Sequence, residues 1–432
     1  MVFSSGVHPA ENKISQTMET KSMPNPQQLI IPLLQHIGAP CEPTVKAGDE
    51  VKAWQKIADS NALISAPIHT PFPGKIKAIK KSTTPTGAVC EALVLEKTSD
   101  KKPSPKKKKY DSLEPKQLIE EIRNAGIVGM GGAGFPTHVK LSPPKDKEID
   151  TLILNGAECE PYLTADHRLM LESPQEILEG IKIIEKILKP KKTLIAVENN
   201  KLDAIDMLRG LGAEVLGLKT LYPQGAEKTL IKTATGRTVP SGGLPMDVGV
   251  VVQNVATAKA IHDALAYGKP LVDRTVTVSG DAIEQPANLT IPFGTTYSQI
   301  TDFLGFDGDY EKIISGGPMM GIAQPHLDIP IIKTTSGILF LGKQDEQEQK
   351  PCIRCAKCIE VCPQNLMPNV LYKLVDDVRT AETLNYNLLD CVECGCCAFT
   401  CPSKIDHVQY MKLGKKRARK LIQKQKEEKK DA

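Results

Sequence analysis

Nine of the twelve cysteines in this sequence lie between Cys352 and Cys401, and eight of them form two copies of the spacing C-x2-C-x2-C-x3-C-P. This run is typical of bacterial proteins with two iron–sulfur clusters, in which the fourth cysteine of each copy binds the other cluster. Thiolates are soft donors that suit iron in such clusters. The spacing predicts one [4Fe-4S] cluster on Cys352, Cys355, Cys358 and Cys401, and a second on Cys391, Cys394, Cys397 and Cys362. Cys396 is left over.

Cysteines at such spacing could also bind structural zinc or form disulfides. The third cysteine and the Cys-Pro ending are not zinc spacing, so clusters are favoured. Disulfides are disfavoured because the N-terminal residues lack the apolar segment of a signal peptide, which predicts a reducing compartment.

Composition limits the partners. The formal net charge is only +4, and we predict no nucleic-acid binding. No apolar run reaches the roughly 18 residues of a membrane-spanning helix, so any membrane attachment should be peripheral. Basic residues cluster between Lys412 and Lys430. This tail is interpreted either as solvated or as a contact for anionic lipid or an acidic partner.

The elements that position the cysteines change character along the chain. Residues 1–97 should contain short strands broken by proline and glycine, expected at Leu29–Leu34, Ile64–Ala66, Lys75–Ile79 and Ala92–Glu96. The stretches PTVKAGDEVKAWQKIA and ISAPIHTPFPGKIKAI resemble the halves of a biotinyl/lipoyl-type barrel sandwich without the modified lysine. Residues 98–110, rich in lysine, proline and serine, should form a linker.

Residues 111–268 alternate between predicted helices and strands, which indicates an α/β domain with a largely parallel sheet. Ligands in such domains bind beyond the carboxyl ends of the strands. Residues 269–343 predict a small β-grasp (SLBB-like) module around one helix at Tyr297–Leu304. Residues 350–410 should form a helical dicluster domain, and residues 411–432 are the basic tail. The predicted fold class is therefore a multidomain α/β protein.

Two loops in the α/β region could bind a ligand. Gly129-Met130-Gly131-Gly132-Ala133-Gly134-Phe135 follows a helix stop and fits neither the Rossmann nor the P-loop pattern. Its backbone amides could still approach a phosphate or a ring, and Lys140 could add a charge. The second loop, Asn155 to Pro161, follows a predicted strand and carries Glu158 and Glu160. From spacing alone, both loops could equally be solvated turns.

The motifs GMGGAGFPTHVK, LILNGAECEP, GAEKTL and VVQNVAT resemble the FMN- and NADH-binding subunit of respiratory complex I. The whole chain, beginning with GVHPAENK, resembles the RnfC family of the Rnf electron transport complex. That resemblance implies noncovalent FMN and NAD(H), bound by Gly129, Gly131, Gly132, Ala133, Gly134, Phe135, Lys140, Asn155, Glu158, Glu160, Glu227 and Asn254. Two departures are notable: Ala157 replaces an acidic residue of the complex I protein, and Gln253-Asn254 replaces an asparagine pair.

The resemblance also implies a function. The chain would be an oxidoreductase subunit that exchanges electrons between NAD(H) and, indirectly, ferredoxin, with no catalytic acid or base because the hydride passes directly to the flavin. Its partners would be the membrane subunits of an Rnf-type complex, and it would lie peripherally on the cytoplasmic side of the bacterial inner membrane. A cobalamin reductase of a bacterial microcompartment and a flavin-free iron–sulfur scaffold are the alternatives.

Overall fold

The computed structural model describes residues 5–431 except 102, 104, 106, 108, 307 and 344–346. The described residues fall into two compact units. The larger unit contains Glu11–Leu218 and Gly249–Lys343, and the smaller contains the described parts of Met1–Ala10, Lys219–Val248 and Gln344–Ala432. Parts of the predicted first domain (1–4), linker (102, 104, 106, 108) and tail (432) lie outside the described residues.

The first part of the larger unit is a sandwich of two small antiparallel sheets around an apolar core that includes Leu29, Ile57, Phe72 and Ile76. One sheet has the strand order Gln28–Pro32, Val89–Lys97, Gly74–Thr83, Glu50–Val51. The other has the order Glu42–Pro43, Lys56–Asp59, Ile68–His69. The predicted strand at Ile64–Ala66 is wrong, since the backbone there is irregular and the next strand begins at Ile68.

The α/β part has a parallel four-stranded sheet with the order Val215–Leu218, Lys192–Glu198, Thr151–Asn155, Val250–Asn254. The predicted parallel sheet is thereby confirmed. Its strands are mostly buried on both faces, as expected for a sheet covered by helices. The helices of this part are Pro115–Asn124, Thr137–Lys140, Ala165–Glu172, Pro174–Leu188, Leu202–Gly210 and Val255–Tyr267.

The predicted β-grasp-like region forms a mixed six-stranded sheet with the helix Tyr297–Leu304. A Thr296–Gln299 capping box starts that helix, and Gly305 in the left-handed region (φ +64°) ends it. The strand order is Lys21–Ser22, Ala287–Pro292, Asp273–Ser279, Gly337–Leu341, Lys312–Ser315, Ile322–Gln324. The edge strand Lys21–Ser22 thus comes from the N-terminal region and pairs in parallel with Ala287–Pro292.

The smaller unit is largely helical, and its core includes Leu371, Leu388, Met411 and Ala418. Its helices, including two short 3-10 helices, are Glu227–Thr235, Pro245–Val248, Lys357–Glu360, Pro368–Asp376, Thr380–Asn385, Leu388–Asp390, Cys396–Phe399 and His407–Asp431. The predicted basic tail is therefore the continuation of a 25-residue helix. A search of the described residues finds no helix both long and apolar enough to cross a membrane.

A buried lysine connects the three parts of the larger unit. Lys333, in the β-grasp-like part, is fully buried, and its Nζ donates hydrogen bonds to the carbonyl oxygens of Pro67 and Gly126, each at 2.7 Å. Burial lowers its pKa to about 8, although the nearby Cys41 and Asp59 act in the opposite direction. One ammonium group thus satisfies two buried carbonyls from separate parts of the chain.

We predict that Lys333→Met destabilises the larger unit by an amount that grows between about pH 8 and pH 10.5. In this window the unfolded lysine still holds a proton that the folded one has lost, so the wild type gains stability as pH rises. The variant lacks that gain and also leaves two buried carbonyls without their donor, a cost of about 1–3 kcal/mol. Urea unfolding can be followed with the fluorescence of Trp54, the single tryptophan.

Lys312→Met is the matched control, because Lys312 begins a strand of the same part of the chain but is exposed. A substitution at such a surface position should change the free energy of unfolding by less than about 0.5 kcal/mol. If the Lys333→Met difference stays constant across the pH window, the pKa of Lys333 is not lowered in the folded protein.

Candidate functional site

The glycine-rich loop is a closed turn in the larger unit. Gly129 N donates to Phe135 O at 2.9 Å, and Val128 pairs with Pro136. The tip of the turn is exposed, at Gly131, Gly132 and Ala133. Gly134 has a φ of +71°, and a Cβ there would lie 2.5 Å from Thr334 Cγ2. Only glycine fits that position, so the shape of the loop is fixed by close packing.

The loop lies against the carboxyl ends of two neighbouring strands. Asn155 and Asn254 end these strands and face each other in the register of the parallel sheet. A Cβ on Gly131 would come within 3.1 Å of the Asn254 side chain. Asn254 Oδ1 accepts a hydrogen bond from Ala256 N at 2.8 Å and caps the helix Val255–Tyr267. The loop, two amide side chains and a helix N-terminus therefore meet at the edge where α/β domains bind ligands.

Two ionisable side chains, Asp166 and Arg274, form hydrogen bonds with this arrangement. Asn254 Nδ2 donates to Asp166 Oδ2 at 2.6 Å, and burial, followed by the neighbouring Glu158 carboxylate, raises the pKa of Asp166. The Arg274 guanidinium donates to Met130 O at 3.1 Å, and burial lowers its pKa to about 10. A cavity of about 270 Å³ borders the loop, with Met130, Asp166 and Arg274 among its lining residues. The Asp166 carboxyl group thus binds the strand end at Asn254, and the Arg274 guanidinium binds the glycine-rich loop at Met130.

The acidic loop is held through its backbone and its carboxylates. Glu158 accepts hydrogen bonds from Asp166 N (2.8 Å) and His167 N (3.1 Å), at the start of the helix Ala165–Glu172. Glu160 accepts from Met319 N (3.0 Å) and Met320 N (2.9 Å). Both carboxylates therefore bind backbone amides of this chain, which assigns them a part in fixing the loop.

Two lysines bind the carbonyl groups of the same loop. Lys13 Nζ donates to the carbonyl oxygens of Glu158 (2.8 Å), Glu160 (2.9 Å) and Leu163 (2.6 Å). Burial lowers the pKa of Lys13. Lys201 Nζ donates to Ala157 O at 2.7 Å and is also buried. Neither lysine was predicted as a site residue, although Lys13 ends the GVHPAENK motif.

The remaining predicted site residues, Phe135, Lys140 and Glu227, lie in three separate elements. Phe135 is partly buried in the loop, and Lys140 ends the short helix Thr137–Lys140. Glu227 is the first residue of the helix Glu227–Thr235, which belongs to the smaller unit, whereas the other predicted flavin residues belong to the larger one. The structure of the larger unit therefore brings together Asn155, Asn254 and the glycine-rich loop.

Gln253 lies beside Asn254 in the strand Val250–Asn254 and is a further candidate for ligand binding. Its side chain is 2% exposed, and its Nε2 has no hydrogen-bond partner among the described residues. A buried amide without a partner is costly and calls for an explanation. A flavin carbonyl or a phosphate would supply the missing acceptor, so this residue fits FMN. The sequence signal was its place beside Asn254 in VVQNVAT.

In the smaller unit, the cysteines of the two motifs approach one another across the copies. Burial raises the pKa of the Cys358 thiol, and the nearby Cys401 and Cys352 raise it further. Burial also raises the pKa of Cys391 to about 11, with further contributions from Cys394 and Cys362. Cys401 of the second copy is thus near Cys358 of the first, and Cys362 of the first is near Cys391 of the second, as the crossed ligation requires.

A small cavity lies at the second motif, and its lining includes Cys362, Cys391, Cys394, Cys396 and Cys397. Four of these are the predicted ligands of one cluster, so the donor set suits a [4Fe-4S] cluster there. No group of three His, Cys, Asp or Glu side chains in the described part of the chain could hold a single metal ion. A cluster does not require such convergence, because each of its thiolates binds a different iron.

Cys396 is directed toward a different partner. It is 1% exposed, and its Sγ contacts Tyr222 O at 3.9 Å. The Tyr222 hydroxyl in turn donates to Cys394 O at 2.7 Å. Within the smaller unit, the segment Lys219–Val248 therefore covers the second cysteine loop, and Cys396 packs against that cover.

Three known protein families match separate parts of this sequence. The RnfC barrel sandwich hybrid domain matches residues 1–100, the Nuo51 FMN-binding domain matches residues 122–263, and the 4Fe-4S dicluster domain matches residues 351–405. These matches confirm the predicted fold class and the predicted order of its parts.

The fold is also similar to that of a known enzyme. One polypeptide of the NAD+-reducing [NiFe]-hydrogenase in the H2-reduced state matches with a TM-score of 0.50 at 17% identity. The match covers 69% of this chain and 61% of that one. At this identity the likeness concerns the fold alone.

Two relatives match along most of the chain. The C subunit of the proton-translocating ferredoxin:NAD(+) oxidoreductase complex of Clostridium ljungdahlii is 48% identical over 90% of this chain and 88% of its own length. The C subunit of the Na(+)-translocating complex of Acetobacterium woodii is 44% identical over 85% of each chain. The chain therefore belongs to the RnfC family, the C subunits of ion-translocating ferredoxin:NAD(+) oxidoreductase (Rnf-type) complexes.

Proposed function

We propose that this chain is the NAD(H)-oxidising and NAD-reducing subunit of an Rnf-type complex. The larger unit binds FMN and NAD(H), and the smaller unit holds two [4Fe-4S] clusters that carry electrons onward, indirectly to or from ferredoxin. The observation that carries this proposal is the meeting of the glycine-rich loop with the strand ends Asn155 and Asn254, in a chain that also pairs its two cysteine motifs.

The residues of the larger unit would hold FMN without a covalent bond. Backbone amides of the exposed loop tip and the N-terminus of the helix Val255–Tyr267 suit the phosphate and the polar edge of the ring. When bound, FMN supplies the conversion between a hydride and single electrons. Lys140 and Phe135 complete the predicted set in the larger unit, whereas Glu227 belongs to the smaller unit.

Glu158 and Glu160 would act mainly as positioning residues for the acidic loop. Their carboxylates fix the acidic loop beside the strand end of Asn155, through the backbone amides they accept. A loop held in this way pre-organises the nucleotide site, because its groups lose little freedom when a ligand binds.

The chain would lie on the cytoplasmic side of the membrane and dock on the membrane subunits of the complex. The end of the helix His407–Asp431 supports this, since it exposes Lys420, Lys424 and Lys426. Exposed basic residues of this kind are attracted to the anionic cytoplasmic surface of a membrane.

The direct test is the anaerobic purification of the full chain, followed by flavin and iron counts. We expect about one FMN and about eight irons per chain, as two [4Fe-4S] clusters require, together with NADH-dependent reduction of a dye. Clusters without flavin or dye reduction would instead favour the flavin-free scaffold.

Gln253→Leu should weaken FMN binding about 2- to 10-fold, the worth of one hydrogen bond between the neutral amide and a flavin carbonyl. The flavin-free protein should not be destabilised, because the lost amide nitrogen has no partner among the described residues to forfeit. Flavin titration and thermal unfolding measure the two effects. Ser279→Ala is the matched control, since it removes another buried, unpartnered polar atom from the β-grasp-like part. Equal FMN affinity in both variants would remove Gln253 from the site.

Cys362→Ala should damage the cluster held by Cys391, Cys394 and Cys397, and leave the one held by its sequence neighbours. Iron content should fall by about half, with loss of one of two EPR signals. Cys396→Ala is the control, because its thiol contacts Tyr222 O and is outside the predicted ligand set. Loss of the cluster of the first motif in Cys362→Ala would contradict the crossed ligation.

Replacing Lys420, Lys424 and Lys426 by Gln should weaken association with anionic vesicles about a hundredfold, at about 1 kcal/mol for each basic residue. These positions lie beyond Lys415 and Ala418, which are buried, so the core of the unit is kept. The control replaces the exposed Lys75, Lys80 and Lys81 of the barrel sandwich by Gln. If both triple variants bind vesicles alike, the helix end is not a membrane contact.

A further inference from the structure

A partly buried ion pair lies beside the second cysteine loop, with the Glu393 side chain 28% exposed. Lys415 belongs to the helix His407–Asp431, and its side chain is only 9% exposed. Its Nζ donates to the carbonyl oxygen of Cys391 at 2.7 Å and to Glu393 Oε1 at 2.6 Å. Glu393 itself lies between Cys391 and Cys394 in that loop. A negative charge therefore lies within the predicted ligand loop of one cluster, and a positive charge from the neighbouring helix contacts that loop.

The first loop has the same backbone but a different charge. Arg354 occupies the position of Glu393, two residues after the first cysteine of its motif. Both residues have a left-handed φ, +56° and +58°, and the amide of each donates to the preceding cysteine sulfur at 3.4 Å. Arg354 is exposed, so water and salt screen its charge. Two loops of matching shape thus have unlike electrostatic surroundings.

A difference in nearby charge changes the reduction potential of a redox centre. One-electron reduction adds a negative charge to a cluster and changes no bond in the side chains around it. A nearby positive charge stabilises the reduced state and a nearby negative charge destabilises it, and both effects are strong where the surroundings exclude water. Net charge, hydrogen bonding and exposure are the factors that set cluster potentials.

We propose that the Lys415–Glu393 pair tunes the reduction potential of the cluster held by Cys391, Cys394, Cys397 and Cys362, so that the two clusters differ in potential. The proposal rests on the cluster ligation of the proposed function. Lys415 and Glu393 are positioning residues that act through charge, and the electron is supplied by NADH through the flavin. The two members of the pair act in opposite directions, which separates this role from a merely structural one.

The test is an anaerobic redox titration of the full chain, monitored by EPR, with the Cys362→Ala variant identifying the signal of the second cluster. Lys415→Met leaves Glu393 unbalanced and should lower that potential. Glu393→Gln leaves Lys415 unbalanced and should raise it. We expect about a tenfold change in the reduced-to-oxidised ratio in each case, equivalent to about 59 mV for one electron. The double variant should return close to the wild type, and Lys415→Arg should retain the potential.

Lys416→Met is the matched control, because Lys416 is the next residue of the helix and is exposed. It removes the same charge and should shift neither cluster. Shifts in the same direction for Lys415→Met and Glu393→Gln, or none in either, would overturn the proposal. If Lys415→Met loses the cluster, Glu393→Gln decides alone. A wild-type protein without two clusters would refute the proposed function instead.

Discussion

Buried cations bound to main-chain carbonyl oxygens are the interaction on which this structure depends. Lys333 binds carbonyls of the barrel sandwich and the α/β part, Lys13 binds three carbonyls of the acidic loop, and Arg274 binds one of the glycine-rich loop. Loops that leave a sheet carry carbonyls that no neighbouring strand satisfies, and burying such a group is costly. One ammonium group with several donors can satisfy carbonyls from distant segments at once.

The carboxylates complement these cations. Glu158 and Glu160 accept hydrogen bonds from backbone amides, so the acidic loop has its carbonyls bound by lysines while its acids bind amides elsewhere. Gly317 shows how close this packing is, since a Cβ there would lie 2.2 Å from Glu160 Oε2. Because both its carbonyl oxygens and its carboxylates accept hydrogen bonds from fixed donors, the acidic loop has little conformational freedom left. Rigid loops at strand ends are what a pre-organised ligand site needs.

Elements whose sequence signals lie within one short stretch of the chain could be predicted from the sequence. The helix Tyr297–Leu304 has the predicted bounds, because apolar periodicity and the flanking residues act within one stretch of chain. The two cluster motifs could be predicted for the same reason, since each is defined by the spacing of cysteines within one stretch of chain. The partners of Lys13 and Lys333 could not be predicted, since a lysine reveals nothing about carbonyls 145 or 266 residues away. The same holds for Lys219–Val248, which interrupts the α/β sequence but belongs to the smaller unit.

The two cysteine loops show how a duplicated motif can acquire distinct properties. Left-handed residues recur at matching positions, Ala356 with Gly395 and Asn365 with Lys404, so the backbone is repeated. In the proposed ligation, exchange of the fourth cysteines would tie the loops together, and a change in the backbone of one would disturb the ligands of the other. Their surroundings are free to diverge: Tyr222 covers the second loop, whereas Ile353 in the first is 67% exposed. With four cysteine ligands proposed for each cluster, differences between the clusters would come from the residues packed around the loops.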